Sequence, residues 1–190
     1  MNRQSTHSES LEILLGENRE IDYSGTQFST TYQKEYQLVT GIIHAKKHGE
    51  LLEIGEVQLY LIDENWLESN VYQLAEKVDP VLFKAIRSVR FYESASRLHR
   101  DPFTCLVFGR IAVLTDLQIK EEYQRKGLGQ ATLEELEEYL SKVLHVSFLI
   151  APANAEKDVV GFNRLFTNAA FEYTNGDGHP HFCKKIMPHT

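Results

Sequence analysis

The sequence predicts one α/β domain: a mixed β-sheet with helices on both faces. Three observations carry that expectation. Strand-like and helix-like stretches follow in the order strand, strand, helix, helix, strand, helix, strand, helix, strand, strand. Near the middle, a long apolar strand, a helix opening on two glycines and a short apolar strand make the unit expected to form a right-handed parallel crossover. The 190 residues hold enough apolar side chains for one core and are cramped for two.

Residues 1–31 are polar, with Leu11, Ile13, Leu14 and Leu15 as their apolar knot. They read as a loosely held arm, and the ordered domain, residues 32–190, is expected to begin near Tyr32. From Glu35 to Ala45 the chain is rich in Tyr, Val, Ile and Thr, and Lys46 to Glu50 reads as a turn. Leu51 to Ile62 then alternates Val57, Leu59 and Leu61 against Glu56, Gln58 and Tyr60, which completes a hairpin. Asp63 or Asn65 caps a helix that aligns Leu67, Val71, Leu74, Ala75 and Val78. Asp79 caps the next helix and Pro80 opens it, with Leu82, Phe83, Ile86 and Val89 turned inward.

The polar stretch from Phe91 to Pro102 reads as a loop. Phe103 to Ile119 reads as one long strand, with Gly109 marking a bend or bulge. A helix from about Gly127 lines up Leu128, Ala131, Leu136, Tyr139, Leu140 and Val143. Glu134, Glu135, Glu137 and Glu138 then fall on a solvated face. Val146 to Ala151 is a buried strand, Val159 to Ala169 a helix, and two last strands flank the turn Asn175-Gly176-Asp177-Gly178.

A formal charge of -7 argues against nucleic acid as a partner, since phosphate binding needs a net basic surface. It is compatible with a cationic substrate. No apolar stretch approaches the length of a membrane span, and the first residues lack the apolar centre of a signal peptide, so a cytoplasmic location without a membrane partner is expected. Cys105 and Cys183 suit two buried or half-buried thiols rather than a disulfide framework. His179, His181 and Cys183 match no zinc spacing, and no metal is expected. His181 lines a substrate pocket if the final strands flank one.

The stretch with chemical content runs from Asp116 to Gln130. A strand ends at Ile119, a short loop follows, and a helix starts on Gly127-Leu128-Gly129. The first amides of a helix have no internal partner and carry the positive end of its dipole. Glycines let an anion approach the backbone, and Arg125 and Lys126 add positive charge. Those features predict a phosphate or pyrophosphate site. The dinucleotide fingerprint is not met, because its third glycine is absent, and no Gly-Lys-Ser or Gly-Lys-Thr makes a P-loop.

The pattern Gln124-x-x-Gly127-x-Gly129 resembles the acetyl-CoA signature of the GNAT N-acetyltransferase superfamily. Glu122-Tyr123 before it, the apolar Ile119 eight residues before the first glycine, and Leu165-Phe166 followed by Ala170-Phe171 extend the likeness. The resemblance implies a mixed sheet, splayed at its centre and flanked by helices on both faces. It implies acetyl-CoA as co-substrate and a primary amine of a small molecule or peptide as acceptor, and it is compatible with a homodimer. Leu117 and Ile119 would pair with pantetheine through their backbone, with Gln118 between them on the cofactor strand. After Gln124 of the signature, the amides of Arg125, Lys126, Gly127, Leu128, Gly129 and Gln130 would hold the pyrophosphate, and Phe166 would belong to the second cofactor motif.

Acyl transfer needs a neutral amine, a stabilised oxyanion and a proton for the leaving thiolate. The positions where similar proteins carry a base fall on Val113 and Thr115, and the position of the usual acid falls on Phe166. Strict alternation points Asp116 to the opposite face, and a bulge would reverse it. The catalytic candidates are therefore Asp116, Thr115 and Tyr173, the tyrosine being the nearest substitute for the missing acid. A non-catalytic module that binds CoA or a protein partner is the competing reading, and a nucleotide-binding domain of another fold the third.

Overall fold

The sheet grows around one long hairpin. β2 (Gln37–Lys47) and β3 (Glu50–Ile62) pair antiparallel along their whole length. His48 (φ 52°) and Gly49 (φ 85°) join them. Two positive φ angles in a row make the tight turn whose twist matches the strands, so two residues suffice where the composition suggested five. The computed structural model describes residues 21–33, 36–63, 68–91, 104–153 and 159–186.

Seven strands lie in the order β1-β2-β3-β6-β7-β9-β8, where β1 is Asp22–Tyr32, β6 Ile111–Ile119, β7 Phe148–Pro152, β8 Glu172–Thr174 and β9 His181–Lys185. β6 and β7 run parallel and the other neighbours antiparallel, so the sheet is mixed, as expected. A separate pair of parallel strands, β4 (Val89–Phe91) and β5 (Cys105–Val107), lies apart from it. The helices are α1 (Glu68–Val78), α2 (Pro80–Arg87), α3 (Leu128–Lys142) and α4 (Val159–Asn168).

Three expectations are corrected. Residues 22–31, assigned to the arm, form β1, paired with β2 from Asp22 to Tyr32. An edge strand is held largely by its backbone, so its side chains need not spell out a buried face. Here Phe28 stacks on Tyr139 of α3 at 4.3 Å, and the Tyr23 hydroxyl donates to Glu135. Residues 1–20, including the Leu11–Leu15 knot, lie outside the described residues. The long strand expected from Phe103 to Ile119 is two strands in two sheets, broken at Gly109 (φ 70°). Apolar residues continue across the break, so alternation alone carries no sign of it. On α3, Thr132, Leu133, Leu136 and Leu140 face inward while Val143 at the C-terminal end is 57% exposed. Glu135 and Glu137 are not free of the fold either, since Lys184 donates to Glu137 at 2.6 Å.

Asp79 caps α2 as expected, its Oδ1 accepting from the amides of Val81 (2.6 Å) and Leu82 (3.4 Å). The proposed cap Asn65 and the residue Leu67 lie outside the described residues. Asp63 instead accepts from Arg110 Nε at 2.7 Å.

The sheet separates two cores. On one face α3 and α4 cover Leu59, Leu61, Leu114 and Leu149, with Phe166 and Phe182 at the centre. On the other, α1 and α2 cover Tyr60, Ile62, Ile111, Val113 and Ile150. Glu137 and Lys184 bridge the edge of the first core, and His181 closes one end of the second face at 4% exposure.

His181 Nδ1 lies 3.2 Å from the His179 carbonyl oxygen, which only accepts, so Nδ1 carries the proton. Burial pushes the imidazole from 6.5 down to about 4, the nearby His179 and Lys84 charges act the same way, and the carbonyl bond opposes them. The native state therefore keeps this ring neutral where the unfolded chain protonates it. The unfolded state binds the extra proton between about pH 6.5 and pH 4, so stability is full above that window and falls as the pH drops through it. The loss assigned to this group is about 3 kcal/mol. Urea melts of wild type and His181→Gln at pH 7, 5.5 and 4 are expected to diverge, the wild type losing more stability on acidification. Parallel profiles would refute the assignment.

Candidate functional site

After Ile119 the chain turns sharply. The Lys120 amide bonds to Ile54 O at 2.8 Å, and a single 3-10 turn, Glu121–Tyr123, follows. The Gln124 side chain folds back to donate to Ile119 O at 2.7 Å, which pins the loop to the strand it leaves. Arg125 (φ 61°) and Gly127 (φ 80°) both take left-handed backbone. For arginine that conformation is uncommon, and such residues gather at functional loops.

α3 makes its first turn bond from Ala131 N to Gly127 O (3.1 Å), and Gly127 supplies no side-chain cap. The amides of Leu128, Gly129 and Gln130 precede any carbonyl four residues back. The Leu128 side chain is buried with Ile43 and Ile54, which anchors the start of the helix. Arg125, Lys126 and Gly127 are exposed beside it. Among the described residues, a Cβ on Gly129 would meet only Leu165 Cδ2, at an ordinary 3.8 Å, and one on Gly127 nothing within 4 Å. Packing against the described residues therefore does not demand a glycine at 129, although glycine in a helix costs about 1 kcal/mol relative to alanine.

β6 leads into this loop along an opening in the sheet. β3 pairs with β6 as far as Ile119, but β7 pairs with it only where Ile111–Val113 meet Phe148–Ile150. Past that point the centre of the sheet is splayed. The bond from Lys120 N to Ile54 O sets the phase: Gln118 and Lys120 direct their backbone to β3, so Leu117 and Ile119 direct theirs to the opening. Their side chains meanwhile pack on the α3 side with Leu128 and Leu52. The same residues thus hold the core with side chains and present backbone to the gap.

The register carries a bulge that sequence alternation does not reveal. Leu114 lies opposite Leu59 and Asp116 opposite Gln58, which leaves Thr115 as an extra residue. Before the bulge Ile111 and Val113 face α1 and α2; after it Leu117 faces α3. Asp116 and Gln118 consequently turn to the α1–α2 face, and Gln118 Nε2 donates to Asp116 Oδ2 at 2.7 Å. Thr115 is tied into the bulge: its hydroxyl donates to Gln58 O at 3.2 Å and accepts from Gln58 Nε2 at 3.3 Å. Gln58 and Glu56, read from the sequence as the polar side of β3, stand beside Asp116 and Gln118 on this face. Their alternation is legible in the sequence, but not that among the described residues no helix packs over this half of the sheet.

The opposite bank follows from the next rows. Ile150 pairs with Cys183 and faces α1–α2 with Val113; two residues on, Pro152 pairs with His181 on that face. Asp116 and His181 thus flank the opening from its two sides.

Two candidates do not join them. Tyr173 lies on β8, three strands from β6, or about 14 Å at normal strand spacing. It is 54% exposed, and its ring meets Phe182 on the α3–α4 face. Phe166 is fully buried, packed on Phe171 and Phe182, and offers a ligand no surface. A large apolar residue on the inner face of α4 meets the needs of a core and of a cofactor motif alike, which is why the sequence reading did not separate them.

Among the described residues no group of three or more His, Cys, Asp or Glu is placed to hold a metal ion, and no helix is long and apolar enough to cross a membrane. No family model matches the chain, and no curated protein matches it. Solved structures do. The chain is similar to Arabidopsis thaliana NAA60 in complex with acetyl-CoA (16% identity, 78% of this chain and 76% of that one, TM-score 0.44). It is also similar to arylalkylamine N-acetyltransferase 2 from Aedes aegypti (14%, 78% and 73%, TM-score 0.45) and to an agmatine N-acetyltransferase (12%, 77% and 76%, TM-score 0.46).

Proposed function

We propose that this chain is a GNAT-type acyltransferase that binds acetyl-CoA along β6 and the start of α3 and moves the acetyl group to a primary amine of a small molecule or peptide. The observation that carries the reading is a continuous path. Backbone groups of Leu117 and Ile119 directed into the opening of the sheet lead straight to the uncapped amides of Leu128, Gly129 and Gln130. The pantetheine amides add to β6 as a strand would, and the pyrophosphate rests on the helix start with Arg125 and Lys126 beside it. The signature Gln124-x-x-Gly127-x-Gly129 lies within this path.

The thioester then lies in the gap between β6 and β7, with the acceptor arriving from the α1–α2 face. Asp116 is the carboxylate on that face at the edge of the gap. It orients a cationic amine and takes its proton, and Glu56 on the neighbouring strand adds to the negative field. With Phe166 buried, solvent at the open mouth returns the proton to the leaving thiolate.

Isothermal titration tests the first half. Wild type is expected to bind acetyl-CoA, and Gly129→Val to bind it at least about tenfold more weakly, or 1.4 kcal/mol. The valine Cβ meets Leu165 Cδ2 at an ordinary contact distance, so thermal melts are expected to stay close to wild type. No heat with wild type at high micromolar acetyl-CoA would sink the proposal.

Thiol release across amine and peptide panels tests the second half. Asp116→Asn is expected to lower kcat/KM by about 10²–10⁴-fold while acetyl-CoA affinity is kept. Unchanged turnover would remove Asp116 from the mechanism. Tight CoA binding by wild type with no thiol release on any acceptor would favour the non-catalytic module, the reading to which Val113 and the buried Phe166 lend support.

A further inference from the structure

Cys105 and Cys183 are the only cysteines in the chain, 78 residues apart, and their Sγ atoms lie 2.8 Å from each other. A covalent bond between two sulfurs is about 2 Å long, so the pair stands within a sub-ångström movement of bonding distance. That proximity is built by the frame and not by mobile side chains. Cys183 sits on β9, paired with Ile150 of β7 and Glu172 of β8, and is 1% exposed. Cys105 opens β5, its amide bonded to Thr174 Oγ1 at 3.0 Å. The Thr174 hydroxyl in turn donates to Ser88 O at 2.6 Å, and the Gly176 amide reaches the same oxygen at 3.0 Å. The end of α2, the β4–β5 pair and the β8–β9 edge are thus fixed around the two sulfurs from both sides.

The two thiols are not equivalent. Cys105 is half-buried and reachable, and its hydrogen-bonded contact with Cys183 pulls its pKa down against the effect of burial. Cys183 is pushed up by the same neighbour and by burial. A reachable thiol with a lowered pKa, held 2.8 Å from a buried partner, is the arrangement of an attacking and a resolving cysteine.

We propose that Cys105 and Cys183 form a reversible disulfide that fastens the β4–β5 pair, and with it the α1–α2 layer, to the main sheet. The oxidant is a small disulfide such as glutathione disulfide. The Cys105 thiolate attacks one of its sulfurs, an S–S bond forms to Cys105, and one glutathione thiolate departs and takes up a proton. Cys183 gives up its proton and attacks the Cys105 sulfur, and the second glutathione leaves as thiol. Two protein thiols lose two electrons and two protons, and one glutathione disulfide becomes two glutathiones. The bridge does not depend on the transferase reading, since no residue of the path along β6 takes part.

The test uses the full chain incubated with glutathione disulfide and then freed of it. Intact mass is expected to fall by two hydrogens, a non-reducing peptide map to join the segments holding Cys105 and Cys183, and dithiothreitol to reverse both. The melting temperature of the oxidised form is expected to rise by roughly 5–10 °C, because the bridge closes a long loop in the unfolded chain. Cys183→Ser is expected to retain glutathione on Cys105, and folded Cys105→Ser to take up none. Two thiols still titratable, a lasting glutathione adduct on the wild type, or disulfide-linked dimers on a non-reducing gel would overturn the proposal. A bridge that forms without raising the melting temperature would overturn the fastening role.

Discussion

The candidate site depends on the parting of β6 from β7 after Val113. A continuous sheet would bond every backbone group in this region to a neighbouring strand and leave nothing for a ligand. Three local features force the strands apart. The bulge at Thr115 bends β6 and shifts its register against β3. Gly55 lets β3 follow that bend, because a Cβ there would meet Gln118 O at 2.1 Å. On the other bank Pro152 ends β7 with no amide to donate. Each alone is an ordinary irregularity. Together they hold open a gap whose one edge is a strand with its backbone directed inward.

The same bulge sorts the chemistry onto two faces. Without it, alternation would put Asp116 beside Ala112 and Leu114, in the core under α3, where an unpaired carboxylate would cost several kcal/mol. With it, Asp116 turns to the opposite face, beyond the residues that α1 and α2 cover, and Leu117 fills the core position instead. One inserted residue therefore serves packing and polarity at once. Thr115 stabilises the irregular backbone by bonding both the side chain and the carbonyl of Gln58.

How much of this was legible in the sequence follows from range. The loop was readable because its signals are local: two glycines at a helix start, basic residues before them, and an apolar strand before those. The Asp79 cap and Pro80 were readable for the same reason. β1 was not, because an edge strand of Ser, Thr and Gly is defined by the backbone of β2 rather than by its own side chains. The break at Gly109 was signalled by the glycine, but its consequence, that β5 leaves the main sheet for β4, depends on a partner sixteen residues earlier in register. The surroundings of Phe166 and Tyr173 are not legible in the sequence for a related reason. A motif position specifies where a residue lies in the chain, and burial or three intervening strands decide whether it reaches the site.

Charge differs between the two ends of the gap. The chain is acidic overall, yet its exposed loop before α3 carries Arg125 and Lys126 together with the uncapped helix start. These groups favour an anion at that end of β6, partly offset by the exposed carboxylates of Glu121 and Glu122 in the preceding turn. At the other end of the gap, Asp116 and Glu56 stand on the face away from α3 and favour a cation. The two attractions lie on opposite sides of one sheet and meet only where the sheet is open. Among the described residues, the parting of β6 from β7 lies between the basic helix start and the face that carries Asp116 and Glu56, which is where the proposed donor and acceptor would meet.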